Sequence, residues 1–291
     1  MTFIKQIIKS LIILPFFSLS FLATAFSAEQ CSDIYSSLVF NDKNGEVISE
    51  KRSDQIIYPA SLTKLMTVYL AFEAVKEGKL TMDQFITVSD RAEQISSVNS
   101  ITTLKLQRGD RISVKDAIAG SIIKSFNETT IMLAEAIAGS EWKFARLMNK
   151  KAKELGMYHT NFRNSSGLHD NGHFTTAYDL ARLVNALKKD FPEYYSIFSQ
   201  KEFEFNNTAF ISHNRILFDY EGAEGMKTGF TSRAGYNLIA AAKKDNWHIT
   251  SILAYCTSSE GRNEFTKELL NQGFAKLANS ENQDIKIASS K

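Results

Sequence analysis

Strand-like runs at both ends of the chain, with helical runs between them, predict an α+β fold: one antiparallel sheet built from both termini, with a helical region inserted in the middle. Near the start, residues 36–41 and 46–50 read as short strands around Lys43-Asn44-Gly45, a strong hairpin signal. Near the end, residues 224–231, 236–242 and 247–256 read as consecutive strands, and Lys244-Asp245-Asn246 turns the last pair.

Between them, a helix is expected from Ser61 to about Lys76. Its Leu62, Leu65, Met66, Val68, Leu70 and Phe72 are apolar on nearly every side, which fits a helix buried centrally. Ser113-Val114-Lys115-Asp116 is a helix-start pattern opening residues 113–124, and two more helical runs follow up to Gly156. Residues 176–188 form another amphipathic helix. The alternation Glu202-Phe203-Glu204-Phe205-Asn206 reads as a half-buried strand. A closing helix is expected over residues 262–278, and the polar residues 279–291 read as a loose tail. No internal repeat is found.

The length suits one large domain or two small ones, and 44% apolar residues argue for a packed globular protein. The first residues differ in character. Lys5 and Lys9 precede an apolar run over residues 11–26, and Ala23-Thr24-Ala25 offers a cleavage site, with Ala28 a later one. This is the form of a secretory signal peptide, and residues 1–28 are assigned to it. A retained anchor is the alternative, although the run is short for a span and is broken by Pro15. No later stretch is long and apolar enough to cross a bilayer. With 34 basic and 32 acidic residues, and two of those lysines in the signal, the mature chain is near neutral. It has no basic excess to hold nucleic acid or an anionic membrane. Cys31 and Cys256 enter an oxidising compartment, where they either bridge or stay free and buried. If the first and last strands are antiparallel neighbours, a bridge is geometrically feasible.

Three short motifs carry the chemistry: Ser61-Leu62-Thr63-Lys64, Ser125-Phe126-Asn127 and Lys227-Thr228-Gly229. A serine hydroxyl needs a base within hydrogen-bond reach. Ser61 and Lys64 are one helical turn apart on the same face. In a desolvated cleft, burial and nearby positive charge would lower the lysine pKa to a usable value. The bland alternative is a capping serine with a solvated lysine. Ser125 and Asn127 lie between two helical runs, where a loop can project both into a groove; the bland alternative for Asn127 is capping of the helix near Glu128. Lys227 and Thr228 fall on a strand, where a fixed cation and a hydroxyl can bind a terminal carboxylate. Gly229 would let substrate backbone approach that strand.

In this order the motifs resemble the low-molecular-weight penicillin-binding proteins, specifically the serine D-alanyl-D-alanine carboxypeptidases. The resemblance extends through Tyr58-Pro59-Ala60, Gly225-Met226, Ala234-Gly235-Tyr236-Asn237-Leu238, Leu147-Met148-Asn149 and Glu154-Leu155-Gly156-Met157. It covers roughly residues 36–278, and it implies a beta-lactamase/transpeptidase-like fold with a D,D-peptidase domain over residues 29–278. It implies that Ser61 is the nucleophile, Lys64 its base and Ser125 a proton carrier to the leaving amine, while Asn127 binds the substrate amide and Lys64. The backbone N–H groups of Ser61 and Phe230 would form the oxyanion hole. Arg215 and Arg262 fall where the family has basic residues near substrate. The second motif departs from the family, which favours a small middle residue followed by Asp-Ala; here Phe126 and Glu128-Thr129 stand instead.

The reading is thus a periplasmic serine D-Ala-D-Ala carboxypeptidase acting on peptidoglycan stem peptides, acylated by beta-lactams and needing no cofactor. The competing functions are a D,D-endopeptidase that cuts cross-links, a non-enzymatic wall-binding protein and a class A beta-lactamase. The endopeptidase gains weight because many family carboxypeptidases carry a further C-terminal β-domain and an amphipathic membrane helix, and this sequence ends before either. The lactamase needs a deacylating glutamate loop, and residues 202–206, the one segment with its spacing, read as a strand. His169 and His173 are four apart, but Asn171 and Gly172 place them on a loop rather than the helix of a zinc H-E-x-x-H site, so no metal is expected. Their segment resembles a loop-to-helix junction of the family with a structural role.

Overall fold

The computed structural model describes residues 31–289, with side chains to residue 281. The signal peptide expected over residues 1–28 lies outside the described residues. Strand β1 (Cys31–Asn41) turns through Lys43-Asn44-Gly45 into β2 (Val47–Lys51), and Gly45 takes the positive φ of 73° that this tight turn requires. The chain returns to the same sheet only with β7 (Ala223–Thr231), β8 (Gly235–Lys244) and β9 (Trp247–Cys256). The five strands run in the order β2-β1-β9-β8-β7, every pair antiparallel. The sheet built from both chain ends is therefore present, with β1 beside β9. Cys31 is opposite Cys256 in that pairing, and the two are joined in a disulfide. Closing a loop of this length restricts the unfolded chain and contributes about 2–4 kcal/mol.

The inserted region holds a 3₁₀ turn (Ala60–Thr63) that runs into α1 (Lys64–Lys76), then β3 (Phe85–Thr87), α2 (Asp90–Ser96) and β4 (Arg111–Ser113). Helices α3 (Val114–Ile123), α4 (Glu128–Ala138), α5 (Glu141–Glu154) and α6 (Ala177–Asp190) follow. The predicted start signal at Ser113 operates as a side-chain cap, its Oγ accepting from Asp116 N, and Thr176 Oγ1 caps the later helix by accepting from Asp179 N. Helix α1 is buried on almost all sides, its Leu62-to-Phe72 residues filling the space between the sheet and the other helices. After a 3₁₀ segment (Pro192–Ser199), β5 (Glu202–Phe205) and β6 (Thr208–Ile211) form a separate hairpin, and a short α7 (Ile216–Asp219) leads back to the sheet.

The closing helix, α8 (Ser259–Ser289), packs its Phe265, Leu269, Leu270 and Phe274 on the outer face of the sheet. It corrects the expected end near Ala278: the backbone of 279–289 continues helical instead of forming a loose tail. No Gly or Pro interrupts residues 274–289, so nothing in the local sequence stops a helix already nucleated by docking. None of the helices among the described residues is long and apolar enough to cross a membrane.

Candidate active site

The Ser61 turn is built under constraint. Ala60 takes a positive φ of 49°, which a non-glycine residue adopts rarely. Gly167 presses on it from the facing loop, where a Cβ would meet Ala60 O at 1.8 Å. Gly229 does the same from β7: a Cβ there would lie 2.8 Å from Pro59 O and 3.3 Å from Leu62 N. The close approach it permits is between β7 and the protein's own Ser61 turn, and that approach sets the third motif beside the first.

The consequence is that Lys64 points inward, with no exposed surface. Its Nζ donates to Ser61 Oγ at 3.1 Å, Asn127 Oδ1 at 2.9 Å and Ser166 O at 2.7 Å. Burial above all, and the charge of Lys227 after it, hold this ammonium well below the ordinary lysine range, against an opposing pull from Glu128. The solvated-lysine alternative is therefore excluded. Asn127 caps nothing with its side chain either. Its Oδ1 serves Lys64 while Nδ2 and the backbone N both donate to Thr102 O, at 3.0 and 3.1 Å.

Ser125 sits at a φ of 67° in the junction before α4, and its buried Oγ has no hydrogen-bond partner. Phe126, the bulky middle residue, turns away from the cleft. It packs edge-on against Phe210 at 5.1 Å between ring centroids and against Phe203 at 6.5 Å. The alternating strand at 202–205 thus supplies the pocket for the unusual middle residue of the second motif, and the substituted side chain leaves the groove open.

Lys227 is also buried, with only Thr228 O as acceptor, at 3.1 Å. Burial, aided by Arg262, lowers it to about 7. Arg262 is itself buried and lowered to about 10, chiefly by burial. A cleft of about 620 Å³ is lined by Ser61, Ser125, Asn127, Thr228, Gly229, Phe230 and Arg262 among others, while Lys64 and Lys227 are buried and do not line it. None of its lining residues is acidic, and Arg262 brings a cation to it, so the groove favours an anion over a cation electrostatically. Arg215 is not brought to it. The helical turn after Arg215 directs the guanidinium outward, 3.7 Å from Asp219 and over the Phe218 ring.

His213, two residues earlier, lines the cleft instead; burial and four surrounding cations lower it to about 4, so it is neutral near pH 7. His173 is committed structurally: its ring bonds Thr63 Oγ1 at 2.9 Å and accepts from Arg163 N at 3.3 Å. Sequence reasoning missed His213, the Ser166 carbonyl and the 97–105 loop whose Ser100, Ile101 and Thr102 line the opposite wall. Only Asn164-Ser165-Ser166-Gly167 carried a signal, its turn chemistry: Asn164 Oδ1 accepts from the backbone N of Ser166 and Gly167.

A lysine cut off from water and bonded to a serine hydroxyl is the equipment of a serine-type hydrolase, and the fold and cleft put the chain in that class. It belongs to the D-alanyl-D-alanine carboxypeptidase family, peptidase family S11, whose sequence profile matches residues 24–254. The chain is 36% identical over 282 residues to D-alanyl-D-alanine carboxypeptidase DacC of Escherichia coli K12, covering 94% of this chain and 70% of that one. Among solved structures it is similar to penicillin binding protein 5 from Haemophilus influenzae, with a TM-score of 0.79 and 35% identity over 82% of this chain and 70% of that one. Penicillin-binding protein D2 from Listeria monocytogenes in its ampicillin-bound form gives a TM-score of 0.73 and 30% identity, over 82% and 96%.

Proposed function

We propose that the protein is a serine D-Ala-D-Ala carboxypeptidase that removes the terminal D-Ala of peptidoglycan stem pentapeptides through an acyl-enzyme on Ser61. The observation that carries this reading is the buried Lys64 ammonium bridging Ser61 Oγ and Asn127 Oδ1. Burial and the charge of Lys227 favour its neutral form, so Lys64 takes the Ser61 proton as Oγ attacks the penultimate carbonyl. The developing oxyanion is received by the backbone N–H groups of Ser61 and Phe230, each worth ~3–4 kcal/mol in such sites.

Ser125, its Oγ unpartnered at the floor of the cleft, passes the proton to the departing amine. Asn127 holds the substrate amide. Lys227, Thr228 and Arg262 bind the terminal carboxylate, the group that distinguishes an exopeptidase substrate. Water then hydrolyses the ester and releases the shortened peptide. Beta-lactams present the same reactive carbonyl beside a carboxylate and acylate the same serine; a relative of this fold was solved in its ampicillin-bound form. This chemistry belongs to the cell wall, and the signal-like residues 1–28 point to export into the periplasm.

The test is mass spectrometry of the protein after incubation with a labelled penicillin, paired with D-Ala release from pentapeptide. A single adduct on the Ser61 peptide is expected, and Ser61→Ala should lose both label and release. Label that persists on Ser61→Ala would move the nucleophile elsewhere and end the reading.

A further inference from the structure

We infer that Glu128 is a positioning residue which, together with Asn127, clamps the 97–105 loop against the catalytic centre and so sets the cleft wall on which the acyl-donor peptide lies. The inference rests on the carboxypeptidase reading for the identity of that peptide. Glu128 opens α4 directly after the second motif and has no exposed surface. Its Oε1 accepts from the backbone N of Leu104 and from Ser96 Oγ, the latter at 3.4 Å. Asn127 meanwhile grips Thr102 O with both its backbone N and its Nδ2. Two consecutive residues therefore fasten the loop at its root, Ser96, and on its far side, Thr102 and Leu104. The span between those ties carries Ser100, Ile101 and Thr102, which line the cleft opposite β7.

Because Asn127 Oδ1 is bonded to Lys64, the loop is tied to the catalytic lysine through a single side chain. Length matters in this arrangement. An aspartate here would withdraw the carboxylate from Leu104 N by roughly one carbon–carbon bond, ~1.5 Å. Glutamate fits the reach that this loop demands. The competing explanation is charge alone, since Lys64 is the cation that faces Glu128.

Reach and charge separate in two variants of the full protein, with active sites counted by labelled penicillin. Glu128→Gln keeps the reach without the charge; Glu128→Asp keeps the charge without the reach. For a diacyl tripeptide ending in D-Ala-D-Ala, Glu128→Asp should raise KM about tenfold, the scale of one lost hydrogen bond, with kcat per titrated site nearly unchanged. Amide hydrogen exchange in peptides covering residues 97–105 should accelerate in the same variant, and Glu128→Gln should match wild type in both readouts. A Gln variant as impaired as the Asp variant, or an Asp variant whose loop exchange is unchanged, would overturn the clamp. Absence of penicillin labelling in wild type would instead sink the carboxypeptidase reading, and the exchange measurement would still judge the clamp.

Discussion

The two ends of the five-stranded sheet each hold buried lysine, and they treat it in opposite ways. At the end where β1 leaves the sheet, Lys188 of α6 is paired with Asp42, and Thr250 of β9 links the two, donating to Asp42 Oδ1 at 2.8 Å and accepting from Lys188 at 2.8 Å. At the other end Lys64 and Lys227 have no carboxylate in hydrogen-bond contact among the described residues. Lys64 is held by neutral oxygens, and Lys227 by a single carbonyl. Burial lowers the pKa of all three, but only at Lys188 does a directly bonded carboxylate push back. A buried cation with a bonded carboxylate joins two elements of structure. One without it is available for work, either as a base that takes a proton or as a site that awaits an anion.

The largest expected effect is at the working end. Lys64→Ala removes the only base in contact with Ser61 Oγ among the described residues, and acylation by a labelled penicillin should slow by roughly 10²–10⁴. The protein should remain folded by circular dichroism, because the sheet and the helices around α1 keep their apolar contacts. An acylation rate within tenfold of wild type would mean that another group activates the serine, and the contrast between the two ends would lose its meaning.

Lys188→Met makes the converse test. It leaves Asp42 buried with only the Thr250 hydroxyl, and the pair is mostly shielded, with Lys188 18% and Asp42 8% exposed. Breaking fully buried pairs costs 3–5 kcal/mol; with the residual exposure discounted, we expect a loss of about 2–4 kcal/mol in denaturant unfolding. Activity per penicillin-titrated site should not change. A stable variant with impaired turnover would reverse the roles assigned to the two ends.

The parts of this organisation that were legible in the sequence are those set by neighbours in the chain. The Lys43-Asn44-Gly45 hairpin, the Ser113 cap and the one-turn spacing of Ser61 and Lys64 all depend on residues within four positions of each other. What the sequence did not disclose depends on distant partners: Ser166 O reaching Lys64 across 102 residues, and Leu104 N reaching Glu128 across 24. Strands β3 and β4 are three residues each, too short for an alternation to register. Arg215 and His213 show the limit most clearly. They lie two residues apart, and only the turn into α7 decides which one faces the cleft. Cys31 and Cys256 were an open choice until the β1–β9 register set them opposite one another.

The smallest effect, and the sharpest for the anion-binding half of the working end, is a pH dependence. Lys227 sits at about 7 in the free protein, so its cationic form dominates below that pH and its neutral form above. A substrate carboxylate interacts with the cation, and binding it must draw a proton onto Lys227 wherever the free protein lacks one. KM for a D-Ala-D-Ala substrate should therefore be flat below pH 7 and rise above it, by up to about tenfold per pH unit where one proton is taken up on binding. Arg262, lowered only to about 10, stays charged through this range and cannot produce the rise. Lys64 acts in the opposite sense, because as a base it is needed neutral and burial favours that form. A peptide with its C-terminal carboxylate capped as an amide removes the anion and isolates the effect. Its KM should be higher throughout and lose the rise above pH 7. If the capped peptide keeps the same rise, the titrating group is not reading the carboxylate, and Lys227 would have to be reassigned from anion site to structural lysine, alongside Lys188.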